Sequence, residues 1–157
     1  MSKIYQFNQV QTIHSDISTV WNFFSSPANL KKITPPDMDF RIVDPGGQGE
    51  IANGQIIKYT VRPFPFMRVT WVTEIDGVEH QRCFEDRQKK GPFSLWHHKH
   101  EFVPIDHGVQ MTDQVRYSVP LGLLGRLANR LMVEKRLRHI FDFRRKQIES
   151  LFPPQTL

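Results

Sequence analysis

Three residues in the second half of the chain have the types and spacing needed for chemistry. His98 and His100 are separated by one residue, so a strand would place both imidazoles on one face, and Asp113 follows on the next predicted strand. With His80 or Asp113 as a third ligand, the two histidines could hold a divalent metal ion in an open catalytic site. Because any strand produces this spacing readily, we predict instead that both imidazoles donate hydrogen bonds to Asp113, Asp86 or backbone carbonyls inside the pocket. We therefore expect no metal ion and no other cofactor.

The neighbours of these histidines depend on how the strands pair. Asp76-Gly77 is typical of a two-residue β-hairpin turn and predicts that Ile75 pairs with Val78. We extend this pairing to the next two hairpins by matching their apolar faces. The predicted polar row across the sheet is Trp71, Arg82, His98 and Asp113, and it lies between a row of Val69, Phe84, Trp96 and Val115 and a row of Thr73, His80, His100 and Met111.

The polar row allows three interpretations. Asp113 could orient His98 as a general base while Arg82 stabilises an enolate or oxyanion on a bound carbonyl compound, as a cyclase or dehydratase requires. The same three side chains could instead form a buried network that satisfies its own hydrogen bonds beside Trp71. The row could also recognise the polar end of a ligand without performing chemistry.

The elements that must position these residues follow from the hydrophobic spacing. Residues 4–14 alternate as a strand, and a short helix with Ser15 or Asp16 as its N-cap carries its apolar residues on one stripe. A second short helix begins at Ser26 and Pro27. The remaining predicted elements are strands at 38–43, 55–61, 67–75, 78–88, 93–103 and 109–119 and a long helix at 123–151. This order predicts an α+β fold in which a curved, seven-stranded antiparallel sheet wraps around a long C-terminal helix, with two short helices after strand 1.

Length and composition favour one ordinary domain. The chain has 157 residues, of which 39% are hydrophobic, and this suits a single ligand-binding domain over residues 1–157. The only cysteine, Cys83, excludes an intramolecular disulfide framework. We see neither an apolar leader nor a run of about eighteen apolar residues, so we expect a cytoplasmic protein.

Basic residues are concentrated in the predicted last helix. The whole chain has 21 Lys and Arg against 16 Asp and Glu, a net charge of +5. The helix carries Arg126, Arg130, Lys135, Arg136, Arg138, Arg144, Arg145 and Lys146 against Glu134, Asp142 and Glu149. We expect a weak contact with anionic membrane surfaces at most. Because no nucleic-acid-binding motif accompanies the charge, we expect no nucleic acid partner.

Two stretches resemble a known superfamily. Residues 12–30, followed by Ile33-Thr34-Pro35, resemble the opening of the SRPBCC superfamily, the START-like, helix-grip group that includes birch pollen allergen relatives and polyketide cyclase/dehydrase-like proteins. Further along the chain, the pattern of Asp86, Gln88, Gly91-Pro92-Phe93, Trp96, His98 and His100 is similar to an uncharacterised bacterial branch. The resemblance implies a deep, hydrophobic pocket between sheet and C-terminal helix. It also implies lipid-, sterol- or polyketide-like ligands and, in some members, cyclisation or dehydration.

We therefore predict that the protein binds a small hydrophobic ligand with a polar or acidic group. The predicted ligand-binding residues are Trp71, His80, Phe84, Asp86, Trp96, His100, Phe102, Met111, Val115, Tyr117 and Arg144. One alternative is a cyclase- or dehydratase-type enzyme with His98, Asp113 and Arg82 as its catalytic residues. Another is a non-catalytic interaction module that uses the basic C-terminal helix.

Overall fold

The computed structural model describes residues 2–154, so residues 1 and 155–157 of the predicted domain lie outside the described part. The strands are β1 (Ile4–Ile13), β2 (Arg41–Asp44), β3 (Ile56–Phe64), β4 (Met67–Glu79), β5 (Cys83–Lys90), β6 (Leu95–Ile105) and β7 (Gly108–Ser118). Helix α1 spans Ile17–Phe24, and two 3₁₀ helices follow at Pro27–Ile33 and Pro36–Met38. The C-terminal helix consists of α2 (Gly122–Ala128), a π-helical turn (Asn129–Val133) and α3 (Glu134–Leu151).

The first helix begins where its sequence provides a cap. The Asp16 carboxylate accepts the backbone N–H of Thr19 at 2.9 Å, so Asp16 and not Ser15 is the N-cap. Val20 and Trp21, from the predicted apolar stripe, are fully buried. Trp21 packs edge-on against Phe84 and Phe102 of the sheet, which fixes α1 at one end of the core.

The strands form one antiparallel sheet in the order β1-β7-β6-β5-β4-β3-β2. The C-terminal helix buries Val133, Leu137 and Phe141 against Val115 and Tyr117 of β7. The predicted α+β fold with a seven-stranded sheet and a long C-terminal helix is confirmed. The second predicted strand differs at its start, because Met38 belongs to a 3₁₀ helix and β2 begins at Arg41.

The predicted turn at Asp76-Gly77 was wrong. Strand β4 continues through these residues to Glu79, and the pairing is irregular between Asp76 and Glu79. Gly77 has a φ of 58°, which allows the chain to pass through the irregularity without turning back. The reversal occurs after Glu79, where Gln81 adopts a φ of 60°.

All three predicted registers shift as a result. Asp86, and not Val78, lies opposite Ile75. In the next pair Asp86 lies opposite His98, and in the last pair Asp113 lies opposite His100. Each shift is an even number of residues, so the predicted inward faces survive while the cross-strand neighbours change.

Candidate functional site

The corrected registers bring two aspartates and two histidines together on the concave face. Nε2 of His98 lies 2.7 Å from Oδ1 of Asp113, and Nε2 of His100 lies 2.9 Å from Oδ2 of Asp86. Nδ1 of His98 is 3.6 Å from the same Asp86 oxygen. Nδ1 of His100 is 3.2 Å from Oδ1 of Asp113, at an angle too bent for a good hydrogen bond. We call Asp86, His98, His100 and Asp113 the His/Asp cluster.

Aromatic side chains hold the cluster in place. The two imidazole rings lie 3.8 Å apart, and the Phe84 ring stacks on His100 at 4.2 Å. The indole N–H of Trp96 donates to Oδ1 of Asp86 at 3.3 Å. Because these rings lie on strands of the same sheet, the cluster is part of the core wall.

Two hydrogen bonds between Gln88 and Phe93 close the loop between β5 and β6, and we call them the loop clasp. They account for the Gln88 and Gly-Pro-Phe residues of the pattern beside the cluster. The Gln88 amide donates to the carbonyl of Phe93 at 2.7 Å and accepts the Phe93 backbone N–H at 3.3 Å. A Cβ at Gly91 would lie only 2.4 Å from Oε1 of Gln88, so a larger residue here would push the Gln88 amide out of these two hydrogen bonds. The clasp places Phe93 against Trp96 at the cavity.

Burial and mutual contacts set the charges of the cluster. Burial, together with the neighbouring His100, lowers the pKa of His98. Burial acts in the same direction on His100, but contacts with Asp113 and Asp86 outweigh it and raise the pKa of His100. Burial works to raise the pKa of Asp86 and Asp113, yet contacts with the two histidines reverse this and lower both pKa values. Both carboxylates are therefore ionised, and His100 takes up a proton before His98 does.

A cavity of two joined chambers lies between the sheet and the C-terminal helix. The first has a volume of about 140 Å³ and the second about 120 Å³. Both are lined by Leu30, Tyr59, Trp96, His98 and Arg144. Met38, Phe40, Val61, Trp71, Phe93, Leu137, Ile140 and Phe141 complete most of the first wall, and Ile51, Ile57, Thr73, Ile75, Phe84, Asp86 and His100 most of the second.

Polar groups interrupt these apolar walls at a few points. Nε1 of Trp71 and Nε of Arg144 are buried and have no hydrogen-bond partner among the described residues. The Arg144 guanidinium lies 5.0 Å from the Phe141 ring centre, which holds it beside the cavity. Tyr59 is buried nearby, and burial, reinforced by the charge of Asp86, raises its pKa well above the usual value.

Two predicted site residues lie elsewhere. Arg82 stands in the reversal after β4, where its side chain is 77% exposed and pairs with Glu79 at 2.7 Å. His80 is also exposed and pairs with Glu50 at 2.9 Å. The structure therefore brings neither to His98, because the register that would have placed them there is not formed.

The other predicted site residues divide between the cavity wall and the core behind it. Those on the cavity wall are Trp71, Phe84, Asp86, Trp96, His98, His100 and Arg144. Phe102, Met111, Val115 and Tyr117 are buried in the packed core and are not among the lining residues. Asp113 lies behind the two histidines and acts on them through its contacts.

Sequence reasoning missed several lining residues. Leu137, Ile140 and Phe141 were recognisable, since they lie on the apolar stripe of the last helix. Tyr59 also carried a signal, since it alternates with the buried Ile57 and Val61 of β3. Leu30 and Phe40 had no comparable signal, because the position of a 3₁₀ helix or a loop over a cavity is set by tertiary packing.

The arrangement supports two kinds of chemistry. His98, oriented by Asp113, presents Nδ1 toward the cavity, which is the placement that proton transfer to a bound molecule requires. Asp86, His98 and His100 each offer one metal-binding atom, and these atoms lie within 4.8 Å of one another. Asp86 therefore replaces His80 and Asp113, the third ligands considered from the sequence.

Comparison with known proteins agrees with this architecture. Residues 13–141 match the family described as polyketide cyclase / dehydrase and lipid transport. No curated protein matches the chain significantly in sequence. None of the helices in residues 2–154 is long and apolar enough to cross a membrane.

Solved structures with this fold come from varied sources. Protein Ms6760 from Mycobacterium smegmatis has a TM-score of 0.66 and 16% identity, with 93% of this chain and 89% of that chain covered. SA2116, a protein of unknown function from Staphylococcus aureus, has a TM-score of 0.70 and 9% identity, with coverages of 96% and 94%. The structure of Ara h 8.0201 has a TM-score of 0.60 and 14% identity, with coverages of 94% and 99%. The match over most of the chain, together with the sheet, the helix and the cavity, shows that this chain belongs to the polyketide cyclase/dehydrase and lipid transport family and has its helix-grip fold.

Proposed function

We propose that the protein binds a small, mainly apolar molecule that carries an acidic or carbonyl group, within the two-chambered cavity. Membership of the family supports hydrophobic ligand binding in general terms. The residues that line the cavity support the presence of an acidic or carbonyl group on the ligand.

The observation that carries the proposal is the pair of unpartnered donors in the cavity wall. Trp71 Nε1 and Arg144 Nε have no hydrogen-bond partner among the described residues, although both are buried. A buried donor without a partner costs about 1–3 kcal/mol. A ligand oxygen that accepts from either donor would recover this energy, and the guanidinium of Arg144 favours an anionic oxygen.

The rest of the wall suits an apolar body. Aromatic rings from β3, β4, the loop before β6 and β6 itself surround the first chamber: Tyr59, Trp71, Phe93 and Trp96. Aliphatic side chains close the second chamber, with the His/Asp cluster on one side. Such a cavity, apolar with a few polar groups, is the usual form of a small-molecule site.

A fluorescence titration tests the proposal. The probe is 1-anilinonaphthalene-8-sulfonate, an aromatic anion whose sulfonate would accept from Arg144. We expect saturable binding to the native protein and at least tenfold weaker binding to Arg144→Leu. The matched control is Arg138→Leu, on the same helix, whose arginine is 66% exposed and pairs with Glu134. Equal affinity of the two variants for the probe would contradict the assignment of Arg144.

A second candidate function, contact with an anionic lipid surface, is favoured by an unusual exposed face. Near its start, the C-terminal helix exposes what we call the leucine surface: Leu121, Leu123, Leu124, Leu127 and Leu131, which are 55–77% exposed. Arg126 and Arg130 are exposed within the same segment, and residues 114–133 contain no acidic residue. Apolar residues flanked by cations are typical of helices that lie on anionic membranes.

The charge distribution favours this segment over the rest of the helix. Arg136 is tied to Asp37 at 2.8 Å, and Arg145 donates to the carbonyl of Val10 at 3.1 Å. These two cations therefore stabilise the fold. Arg126 and Arg130, which lie beside the leucine surface, form no ion pair among the described residues and stay available to an external surface, as do the exposed Lys135 and Lys146 farther along the helix.

Vesicle sedimentation distinguishes this candidate from ligand binding. We expect the native protein to sediment with phosphatidylglycerol vesicles at low salt, less at high salt, and little with neutral phosphatidylcholine vesicles. Leu127→Asp should abolish sedimentation, whereas Val43→Asp, at an exposed valine on β2, should not. Equal sedimentation of both variants would exclude the leucine surface as the point of contact.

A further inference from the structure

Three potential metal ligands converge on one side of the paired imidazoles. Oδ2 of Asp86 is 2.9 Å from Nε2 of His100 and 3.6 Å from Nδ1 of His98. The three atoms lie within 4.8 Å of one another, a spacing that small side-chain movements would close around one ion. Two imidazoles and one carboxylate form a common ligand set for a divalent transition metal with open coordination positions.

Each of these three side chains is also contacted at an atom that does not face the proposed ion. Asp113 Oδ1 lies 2.7 Å from Nε2 of His98 and 3.2 Å from Nδ1 of His100, so one carboxylate oxygen contacts the far nitrogen of both rings. The other oxygen of Asp86 accepts the indole N–H of Trp96. Metal-binding histidines almost always donate their other N–H to such an acceptor, which fixes the ring and raises its basicity.

The orientation imposed by Asp113 leaves a lone pair facing a negative charge. When Nε2 of His98 donates to Asp113, Nδ1 carries no proton and points its lone pair to the side of Asp86. No described residue donates a hydrogen bond to this nitrogen. A cation placed between Nδ1 and the Asp86 carboxylate would be attracted by both and would replace the hydrogen bond that Asp86 now shares with His100.

The position is also reachable. Asp86, His98 and His100 all line the second chamber, so an ion there would keep at least one coordination position open to the cavity. We propose that Asp86, His98 and His100 form a binding site for a divalent transition metal ion of the zinc or iron(II) kind, and that Asp113 positions its two histidines. The site goes beyond hydrophobic ligand binding and does not depend on it.

Metal titration of tag-free, chelator-treated protein tests the site. We expect one Zn²⁺ per chain after equilibrium dialysis, counted by inductively coupled plasma mass spectrometry. Co²⁺ should give visible absorption bands that Zn²⁺ abolishes. Mg²⁺ and Ca²⁺ should not compete, because imidazole ligands favour transition metals over these hard cations. Absence of retained Zn²⁺ and of Co²⁺ bands in the native protein would overturn the proposal.

Variants distinguish metal binding at this site from nonspecific binding of Zn²⁺ to other histidines of the protein. Asp86→Asn and His100→Asn should each weaken Zn²⁺ binding at least tenfold, and Asp113→Asn should weaken it about 10–100-fold through loss of positioning. The matched control is His97→Asn, since His97 directly precedes His98 on β6 and pairs with Glu85 on the opposite face. Retention of native affinity in Asp86→Asn and His100→Asn would overturn the site.

Spectroscopy and the anionic probe keep the readouts separate. Near-ultraviolet circular dichroism shows whether each variant keeps the packing of Trp96 beside the cluster, and the Co²⁺ spectrum of the native protein needs no variant at all. The naphthalene sulfonate titration reports ligand binding independently. Failure of the metal site alone would leave probe binding intact, and failure of the proposed function alone would leave Zn²⁺ binding intact.

Discussion

At the scale of single residues, Arg144 is the charged group of the cavity wall on which the proposed ligand binding depends. Its Nε is buried without a partner among the described residues, in a wall that is otherwise mainly apolar. A residue that only pinned the helix to the sheet would instead be paired. Removing the Arg144 side chain should therefore stabilise the ligand-free protein if the residue serves binding, and destabilise it if the residue holds the fold together.

Replacing Arg144 with methionine should raise the free energy of unfolding of the ligand-free protein by about 1 kcal/mol, because the unpaired donor is removed. Urea unfolding monitored by circular dichroism measures this change. A loss of stability of similar size would show that Arg144 mainly holds the fold together.

Tyr59 gives a pH-dependent test of the buried wall. Its pKa is raised in the folded protein, whereas an unfolded tyrosine ionises near pH 10. Its contribution is therefore fully present below about pH 10 and is lost as the pH rises above that value. Between pH 9 and pH 11, urea unfolding should show a steeper loss of stability in the native protein than in Tyr59→Phe. Parallel losses would contradict the burial of the Tyr59 hydroxyl.

The two histidines and the contact of His98 with Asp113 were predicted from the sequence, but the position of Arg82 was wrong. His98, His100 and Asp113 were placed on the inner face, where the structure has them. Arg82 was assigned to the site from a turn that does not form. Asp86 was predicted as a hydrogen-bond partner of the imidazoles and as a ligand contact, but its position opposite His98 was not predicted. The sequence shows which side chains can act as partners. Which of them are in contact across two strands depends on the register of those strands, and that register was predicted wrongly.

At the scale of elements, side-chain alternation predicted the faces of the strands better than turn-forming residues predicted where the chain reverses. The inner faces of β4, β6, β7 and of β5 from Phe84 onward were predicted correctly, because side-chain alternation has a period of two. The prediction was wrong for His80 and Arg82, which lie in the reversal before β5. The Asp76-Gly77 signal failed because a glycine with positive φ serves an irregular strand pairing as well as a turn. The position of the reversal in a long hairpin therefore cannot be predicted from a turn signal alone, because it also depends on which residues of the opposite strand pair with it.

The start of the C-terminal helix contains a strained residue. Leu121 has a φ of 72° at the N-cap of α2, a conformation that costs a branched side chain about 1–2 kcal/mol. Leu121→Asn should raise the free energy of unfolding by about 1 kcal/mol, because asparagine tolerates this conformation and caps helices well. Leu123→Asn removes a similarly exposed leucine from within α2 and should give no gain. Equal effects of the two changes on thermal unfolding would contradict strain at Leu121.

At the scale of the whole molecule, the fold leaves an internal space that its own side chains do not fill. The C-terminal helix packs tightly against β7 through Leu137 and Phe141, while Ile140 on the same helix faces the first chamber. The order of elements was sufficient to predict the fold, because a helix after an antiparallel sheet must cover its apolar face. A pocket between sheet and helix was expected from the family resemblance. Its division into two chambers could not be predicted, since it depends on where the 3₁₀ segments and the loop around Phe93 lie.

Filling the first chamber tests the central claim most directly. Ile140→Trp adds a large side chain at the cavity wall, and His139→Trp adds the same side chain at the neighbouring, exposed position. Each protein is purified from cells and examined by native mass spectrometry, and bound molecules are then extracted and identified. We expect a recurrent apolar molecule with an acidic or carbonyl group on the native protein and on His139→Trp, and its loss from Ile140→Trp. The same bound molecule at the same occupancy on a folded Ile140→Trp variant would contradict binding in this cavity.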